Sequence, residues 1–101
     1  MVNKNIPYVS DVQIKSTNPI LNNATVRAST LSAYYRFTDA DNSSDQSLVK
    51  WYDLVSNTLL ATGSSIGSSV LISGQAIYFT VVPYDGEYFG LLSESQIVNI
   101  L

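Results

Sequence analysis

The chain has 101 residues, eight acidic and five basic side chains, a net charge of −3, and neither cysteine nor histidine. That is enough for one domain burying about two thirds of its unfolded surface, held by packing without disulfides and lacking the commonest general base and metal ligand. The cations Lys4, Lys15, Arg27, Arg36 and Lys50 are scattered, so no basic stripe exists to release counterions from a phosphate backbone, which argues against a nucleic-acid partner.

Charged residues make up 13% of the chain, about half the usual fraction, and Ser, Thr and Asn carry the polarity instead. Those side chains compete for backbone hydrogen bonds and suit strands and turns better than helices. No stretch is long and apolar enough to span a bilayer, and no leader-like apolar run follows Met1, so membrane insertion is not expected. A complete protein, ordered to both ends within an assembly, is the favoured reading; a module cut from a longer secreted chain is the other.

Apolar residues recur at period two along most of the chain, broken by Gly, Pro, Asn, Asp and Ser. After an extension at residues 1–6, Pro7 and Pro19 bracket a first strand over Tyr8–Ser16, with Tyr8, Val12 and Ile14 on its inner face. Val26 and Ala28 alternate briefly. The parity then flips to put Leu31, Ala33, Tyr35 and Phe37 inward, which predicts a bulge or a short separate strand near Ser29–Thr30. A polar loop leads to the Ser47–Asp53 strand, where Val49 and Trp51 share one face. Short strands are expected over Leu59–Thr62 and Val70–Ile72, with Gly63–Ser69 loose between them. Gln75–Val82 is the strongest strand by propensity, with Ile77, Phe79 and Val81 inward and Tyr78, Thr80 and Val82 outward. Pro83–Gly86 reads as a turn, and a last strand over Ser95–Leu101 puts Val98 and Ile100 inward. The expected core is Trp51 with Phe37, Tyr35, Phe79, Val81 and Val98. About seven short strands with turns every ten residues or so predict an all-β, antiparallel sandwich in a single domain over residues 1–101.

Four blocks stand in a telling order: Leu31–Asp41, Val49-Lys50-Trp51-Tyr52, Gly74, and Tyr78–Gly86 before a closing Ser95…Val98-Asn99-Ile100. This pattern resembles the immunoglobulin-like repeats of bacteria, archaea and phages, near the fibronectin type III and PKD types. The resemblance implies an immunoglobulin-like sandwich and the roles such modules serve: spacers, adhesive units and decoration proteins of phage virions. The chain departs from the pattern at Asp39-Ala40-Asp41-Asn42, where the repeats often carry Asp-x-Asp-Gly-Asp, and at Ile77, where a corner tyrosine would stand.

Two clusters invite chemistry. Asp39, Asp41, Asn42 and Asp45 set four oxygen-bearing side chains within seven residues, a set that suits a hard cation. Ser44 and Lys50 occupy the positions where an EF-hand counted from Asp39 needs Gly and Glu, so turn capping by these side chains is the stronger expectation and no metal or other cofactor is assigned. Tyr84, Asp85, Tyr88 and Phe89 crowd the turn that would lie at the same end, an arrangement for stacking on sugars or anchoring a protein. The alternative is that Phe89 folds back to plug the core. Tyr34, Arg36, Tyr78, Thr80 and Val82 make a further outward-facing set, for a partner or for cross-strand pairing.

Catalysis has no inventory: serines have no histidine to activate them, and no Gly-x-Ser-x-Gly elbow is present. The expectation is therefore a non-enzymatic structural or interaction protein. The best reading is a decoration protein at a phage virion surface whose partner is a capsid or other assembly surface. The alternative is an adhesive, glycan-binding or spacer module of a bacterial or archaeal cell-surface protein, extracellular in location.

Overall fold

In a computed structural model of the chain, which describes residues 6–40 and 43–101, every regular element is a strand. In chain order these are β1 (Tyr8–Ser16), β2 (Ala24–Thr25), β3 (Leu31–Thr38), β4 (Leu48–Asp53), β5 (Thr58–Thr62), β6 (Ser65–Ile66), β7 (Ala76–Val82), β8 (Ser93–Glu94) and β9 (Val98–Ile100). One sheet has the order β1-β3-β6, and the other runs β2-β9-β7-β4-β5 with β8 also on β7. The described residues thus hold nine strands where about seven were expected, and β2 lies parallel to β9, so the pairing is not wholly antiparallel.

Ile14, Leu31 and Ile66 from the first sheet meet Val49, Trp51, Ile77, Phe79, Val81, Val98 and Ile100 from the second in one buried cluster. Trp51 is fully buried, with its ring 5.1 Å from that of Phe79 and its Nε1 donating to the Gly63 carbonyl at 2.9 Å. An indole needs that acceptor, because a buried N–H without one is costly. Phe79, Val81 and Val98 are buried as expected, whereas Tyr35 and Phe37 are only half-buried. Tyr35 packs on the rim of the cluster, and Phe37, paired with Val9 near the start of β1, lies outside it.

Several strand assignments move for identifiable reasons. Asp11 adopts a left-handed φ of 53° and forms a bulge between Ser10 and Gln13, so the parity of β1 reverses there. Val9 therefore turns toward the core, and Tyr8, expected inside, is exposed. Val26 and Ala28 are exposed in a turn closed by Ser29 N–H on the Val26 carbonyl. Neither the bulge nor the short strand expected near Ser29–Thr30 forms there; a two-residue strand lies earlier, at Ala24–Thr25, set by a turn in which Asn22 and Asn23 both take positive φ and Leu21 and Ala24 exchange backbone hydrogen bonds. Val70–Ile72 is not a strand: only Leu71 is buried, and the short strand lies at Ser65–Ile66 in the stretch read as loose. Thr80 is buried although it was expected outside. The last strand, expected over Ser95–Leu101, is confined to β9 at Val98–Ile100, and the unpredicted β8 at Ser93–Glu94 precedes it across Ser95–Ile97.

That division lets Gln96 reach the edge of β1. Its Oε1 accepts from Ile14 N at 2.9 Å, and its Nε2 donates to the Ile14 carbonyl at 3.2 Å. One side-chain amide thereby stands in for a neighbouring strand and ties the two sheets together. The pairings also fix the ends of the body, which is 52 Å in its longest dimension. Tyr8, Thr38, Leu48 and Val82 lie at one end, and Ser16, Leu31, Asp53 and Ile77 at the other.

Candidate functional site

The end that holds the start of β1 is built from the loop of residues 39–47, the loop of residues 83–92 and the residues before Tyr8. The second loop continues β7 as an irregular hairpin: Gly90 N donates to the Pro83 carbonyl at 2.8 Å, Tyr84 bridges Phe89, and Asp85 N donates to the Tyr88 carbonyl at 3.3 Å. Asp85 turns the chain, its Oδ1 accepting from Glu87 N at 2.8 Å and Tyr88 N at 2.6 Å. These backbone donors, Tyr88 foremost, hold its carboxyl below the usual carboxylate range against the opposing effect of burial. Gly86 has a φ of 94°, a left-handed conformation that favours glycine in the turn, and the end of the Gln46 side chain lies against it.

The two loops are laced together. Gln46 N donates to the Tyr84 carbonyl at 2.8 Å, and Tyr84 N donates to Ser47 Oγ at 3.2 Å. Asp45 caps its own turn, Oδ1 accepting from Ser47 N at 2.9 Å, while its Oδ2 accepts from the Tyr35 hydroxyl at 2.8 Å. Burial, then the hydrogen bond to Asp45 and its negative charge, push the Tyr35 phenol up to about 12, with Ser47 opposing. Asp39 Oδ2 accepts from Ser43 N at 3.2 Å. Asp39 and Asp45 are thus engaged in turn capping, while Asp41 and Asn42 lie outside the described residues, as do residues 1–5 of the extension. Among the described residues, no group of three or more acidic side chains is arranged to hold a metal ion.

Phe89 does not fold back onto the core. Its ring stacks on Tyr84 at 4.1 Å and 18°, Tyr84 donates its hydroxyl to the Gly86 carbonyl, and Phe89 is exposed. Tyr88 is half-buried. The predicted binding residues Tyr84, Asp85, Tyr88 and Phe89 therefore share one hairpin, in which Asp85 shapes the turn and the Tyr84–Phe89 pair is its aromatic edge.

Sequence reasoning missed the apolar residues beside them. Pro7 and Pro83 are fully buried, and Gly90 packs so closely on Pro7 that a Cβ there would collide with the Pro7 carbonyl. This contact brings Ile6 and Tyr8, which flank Pro7, alongside Phe89 and Leu91, which flank Gly90. All four are exposed with Leu92, and Leu91 is 89% exposed. The signal in the sequence was the run Phe89-Gly90-Leu91-Leu92, whose apolar residues do not alternate and so cannot all face a core.

The outward-facing set expected to form one surface is split. Tyr34 and Arg36 stand on β3 in the first sheet, with Lys15 Nζ 4.0 Å from the Tyr34 ring centre and Arg36 3.8 Å from Asp11. Tyr78 lies on the second sheet, stacked on Tyr52 across β4 and β7 at 5.5 Å, beside a shallow hollow of about 140 Å³ lined by Leu54, Tyr78, Glu94, Ser95 and Ile97. The Ser95 hydroxyl is committed there, accepting from Phe79 N and donating to the Gln96 carbonyl. No helix of the described residues is long and apolar enough to cross a membrane. Comparisons with protein-family models, curated proteins and solved structures return no match for this chain.

Proposed function

We propose that this chain is a non-catalytic interaction protein with an immunoglobulin-like fold that decorates a larger assembly, best a phage virion, docking through the end that carries Pro7 and Gly90. The fold part of this reading is supported by the crossings between sheets: β3 to β4, β5 to β6 and β6 to β7 each pass from one sheet to the other. The observation that carries the function is the exposed cluster of Ile6, Tyr8, Phe89, Leu91 and Leu92. Exposed apolar side chains brought to one end are the kind of surface that marks a contact site on a soluble protein. The backbone beneath them is held by the Pro7–Gly90 contact and the interloop hydrogen bonds, so little ordering is needed on docking.

The test is occupancy on gradient-purified particles after adding back the protein. Deleting residues 1–6, and separately changing Tyr84 and Tyr88 to Ser, should lower occupancy while the circular dichroism stays that of the wild type. If both variants remain folded and load like wild type, this end is not the contact and the reading is wrong.

The second reading, an adhesive, glycan-binding or spacer module of a cell surface, is favoured by the Tyr84–Phe89 stack beside Asp85 and Glu87, since sugars pack on aromatic faces and hydrogen-bond to carboxylates. Tyrosine fluorescence that changes saturably with an oligosaccharide, and is lost in Tyr84→Ser, would favour it over the first.

A further inference from the structure

We propose that the hollow beside Tyr78, on the outer face of the second sheet, seats a basic side chain of a partner protein. The cation sits between the Glu94 carboxylate and the Tyr78 ring, and its alkyl stem lies on Leu54 and Ile97. The inference does not depend on the tip, because the hollow lies toward the other end of the body, where β4 ends and β7 begins.

Strand parity and pairing build the hollow. Ile77 and Phe79 face the core, so Tyr78 between them points outward. Its register partner in β4 is Tyr52, and the two rings stack at 5.5 Å and 22°, which covers one face of Tyr78 and fixes the ring. The other side of β7 is incompletely covered. There β8 pairs only with Thr80 and Val81, and β9 only with Ala76 and Ile77, so Tyr78 has no strand partner between them. The hollow of about 140 Å³ opens at that break, with Glu94, Ser95 and Ile97 along it and Leu54 at its end. Leu54 and Ile97 are both exposed.

The polar groups decide what fits. The Ser95 hydroxyl is committed to Phe79 N and the Gln96 carbonyl, and the Gln96 amide to Ile14. Glu94 is exposed, and its carboxylate has no ion pair or hydrogen bond among the described residues. The stretches 52–60, 75–82 and 93–101, which surround the hollow, contain Asp53 and Glu94 and no basic residue. Lys50, on the same face, lines a separate hollow with Ser47, Leu48 and Thr62. An anion would therefore be repelled. A sugar would need several hydrogen-bonding partners where the serine and glutamine groups are already spent, and a wholly apolar group would strip water from Glu94 without replacing it. A cation on an apolar stem suits the carboxylate, the ring and the two aliphatic walls together. The protein makes such a contact within itself, with Lys15 Nζ 4.0 Å from the Tyr34 ring centre. So shallow a hollow covers one side of its ligand, so it binds weakly alone and serves as one anchor of a larger contact.

The test is titration of the isotope-labelled full chain with N-acetyl-lysine methylamide, followed by amide chemical shifts. N-acetyl-norleucine methylamide supplies the stem without the charge, and glucose tests for a sugar site. The lysine compound should shift Tyr78, Glu94 and Ile97 saturably in the millimolar range, and the other two should not. Glu94→Gln should weaken binding roughly 2–5-fold, as loss of an exposed ion pair does. Tyr78→Leu, which keeps the bulk and removes the ring, should weaken it by a similar factor, with circular dichroism confirming the fold of each variant. Shifts that fail to saturate up to about 100 mM, norleucine binding as well as lysine, affinity unchanged in Glu94→Gln, or glucose moving the same amides would each overturn the proposal. The variant with Tyr84 and Tyr88 changed to Ser should bind the lysine compound as wild type does, so failure here and failure of docking at the tip are read separately.

Discussion

Replacing Trp51 with Ala removes the largest buried side chain and the only indole. Trp51 contacts Phe79, lies in the cluster that joins both sheets, and donates to the Gly63 carbonyl across the turn between β5 and β6. Truncating a buried aromatic costs about 3–5 kcal/mol through lost transfer energy and the cavity left behind. The lost hydrogen bond adds little, because Gly63 is exposed and its carbonyl can turn to water. A domain of this size is stable by about 5–15 kcal/mol, so Trp51→Ala should be barely folded or unfolded at room temperature. Trp51→Phe separates the two effects: it keeps an aromatic ring, loses the N–H and part of the volume, and should cost about 1–3 kcal/mol. Urea unfolding followed by far-ultraviolet circular dichroism reads both variants without relying on the missing fluorophore. An Ala variant with a midpoint within about 0.5 kcal/mol of wild type would refute the assignment of Trp51 as the joint between the sheets, because surface substitutions are what leave stability that little changed.

Gln96→Ala should leave the Ile14 backbone N–H and carbonyl without partners at the edge of β1, lower stability by about 1–3 kcal/mol and speed hydrogen exchange at Ile14; unchanged protection there would show that Gln96 does not close the edge. Burial and Asp45 raise the Tyr35 phenol from an ordinary 10.0 to about 12, so the neutral ring contributes stability that is whole below pH 10 and lost as pH rises to about 12. Tyr35→Phe should flatten the alkaline limb of a stability-against-pH curve, and an unaltered limb would assign it elsewhere. Thermal melts in calcium and in chelator should coincide, since Asp39 and Asp45 are spent on turn capping; a midpoint that climbs with calcium concentration would instead reveal linked binding.

The strands with the longest unbroken alternation were legible. Leu31, Val49, Trp51, Ile77, Phe79 and Val81 kept their predicted inward places, because their strands cross the middle of the core, whereas Phe37 at the end of β3 falls outside the cluster and Thr80 is covered on the face expected to be open. Errors gathered where alternation broke. The Asp11 bulge left no trace in the pattern, since neither Gly nor Pro marks it and the residues on both sides suit a strand. Val26 scored as apolar, yet Thr25 took the buried place, its hydroxyl paired with Ser29 at 3.0 Å. A two-residue strand such as β2 or β6 carries no periodicity, and only its partner defines it. The aromatic turn was visible as a cluster, but its union with Ile6 and Tyr8 depends on Pro7 meeting Gly90 from across the chain, which no local pattern encodes.

The chain has a way to guard an exposed edge and uses it within a few residues of the tip. On the edge of the first sheet, β1 contacts both β7 and β8, and Gln96 spends its whole amide on the backbone of Ile14. Bulging by Asp11, at the middle of the same strand, further spoils it as a template for another strand. Toward the tip these protections stop: Ile6, Tyr8, Phe89, Leu91 and Leu92 stand uncovered over a backbone pinned by two buried prolines. A rigid support beneath uncovered apolar groups differs from a frayed terminus, because the exposure persists in every molecule and presents one fixed shape. One side of the protein thus carries both a guarded strand edge and uncovered apolar side chains.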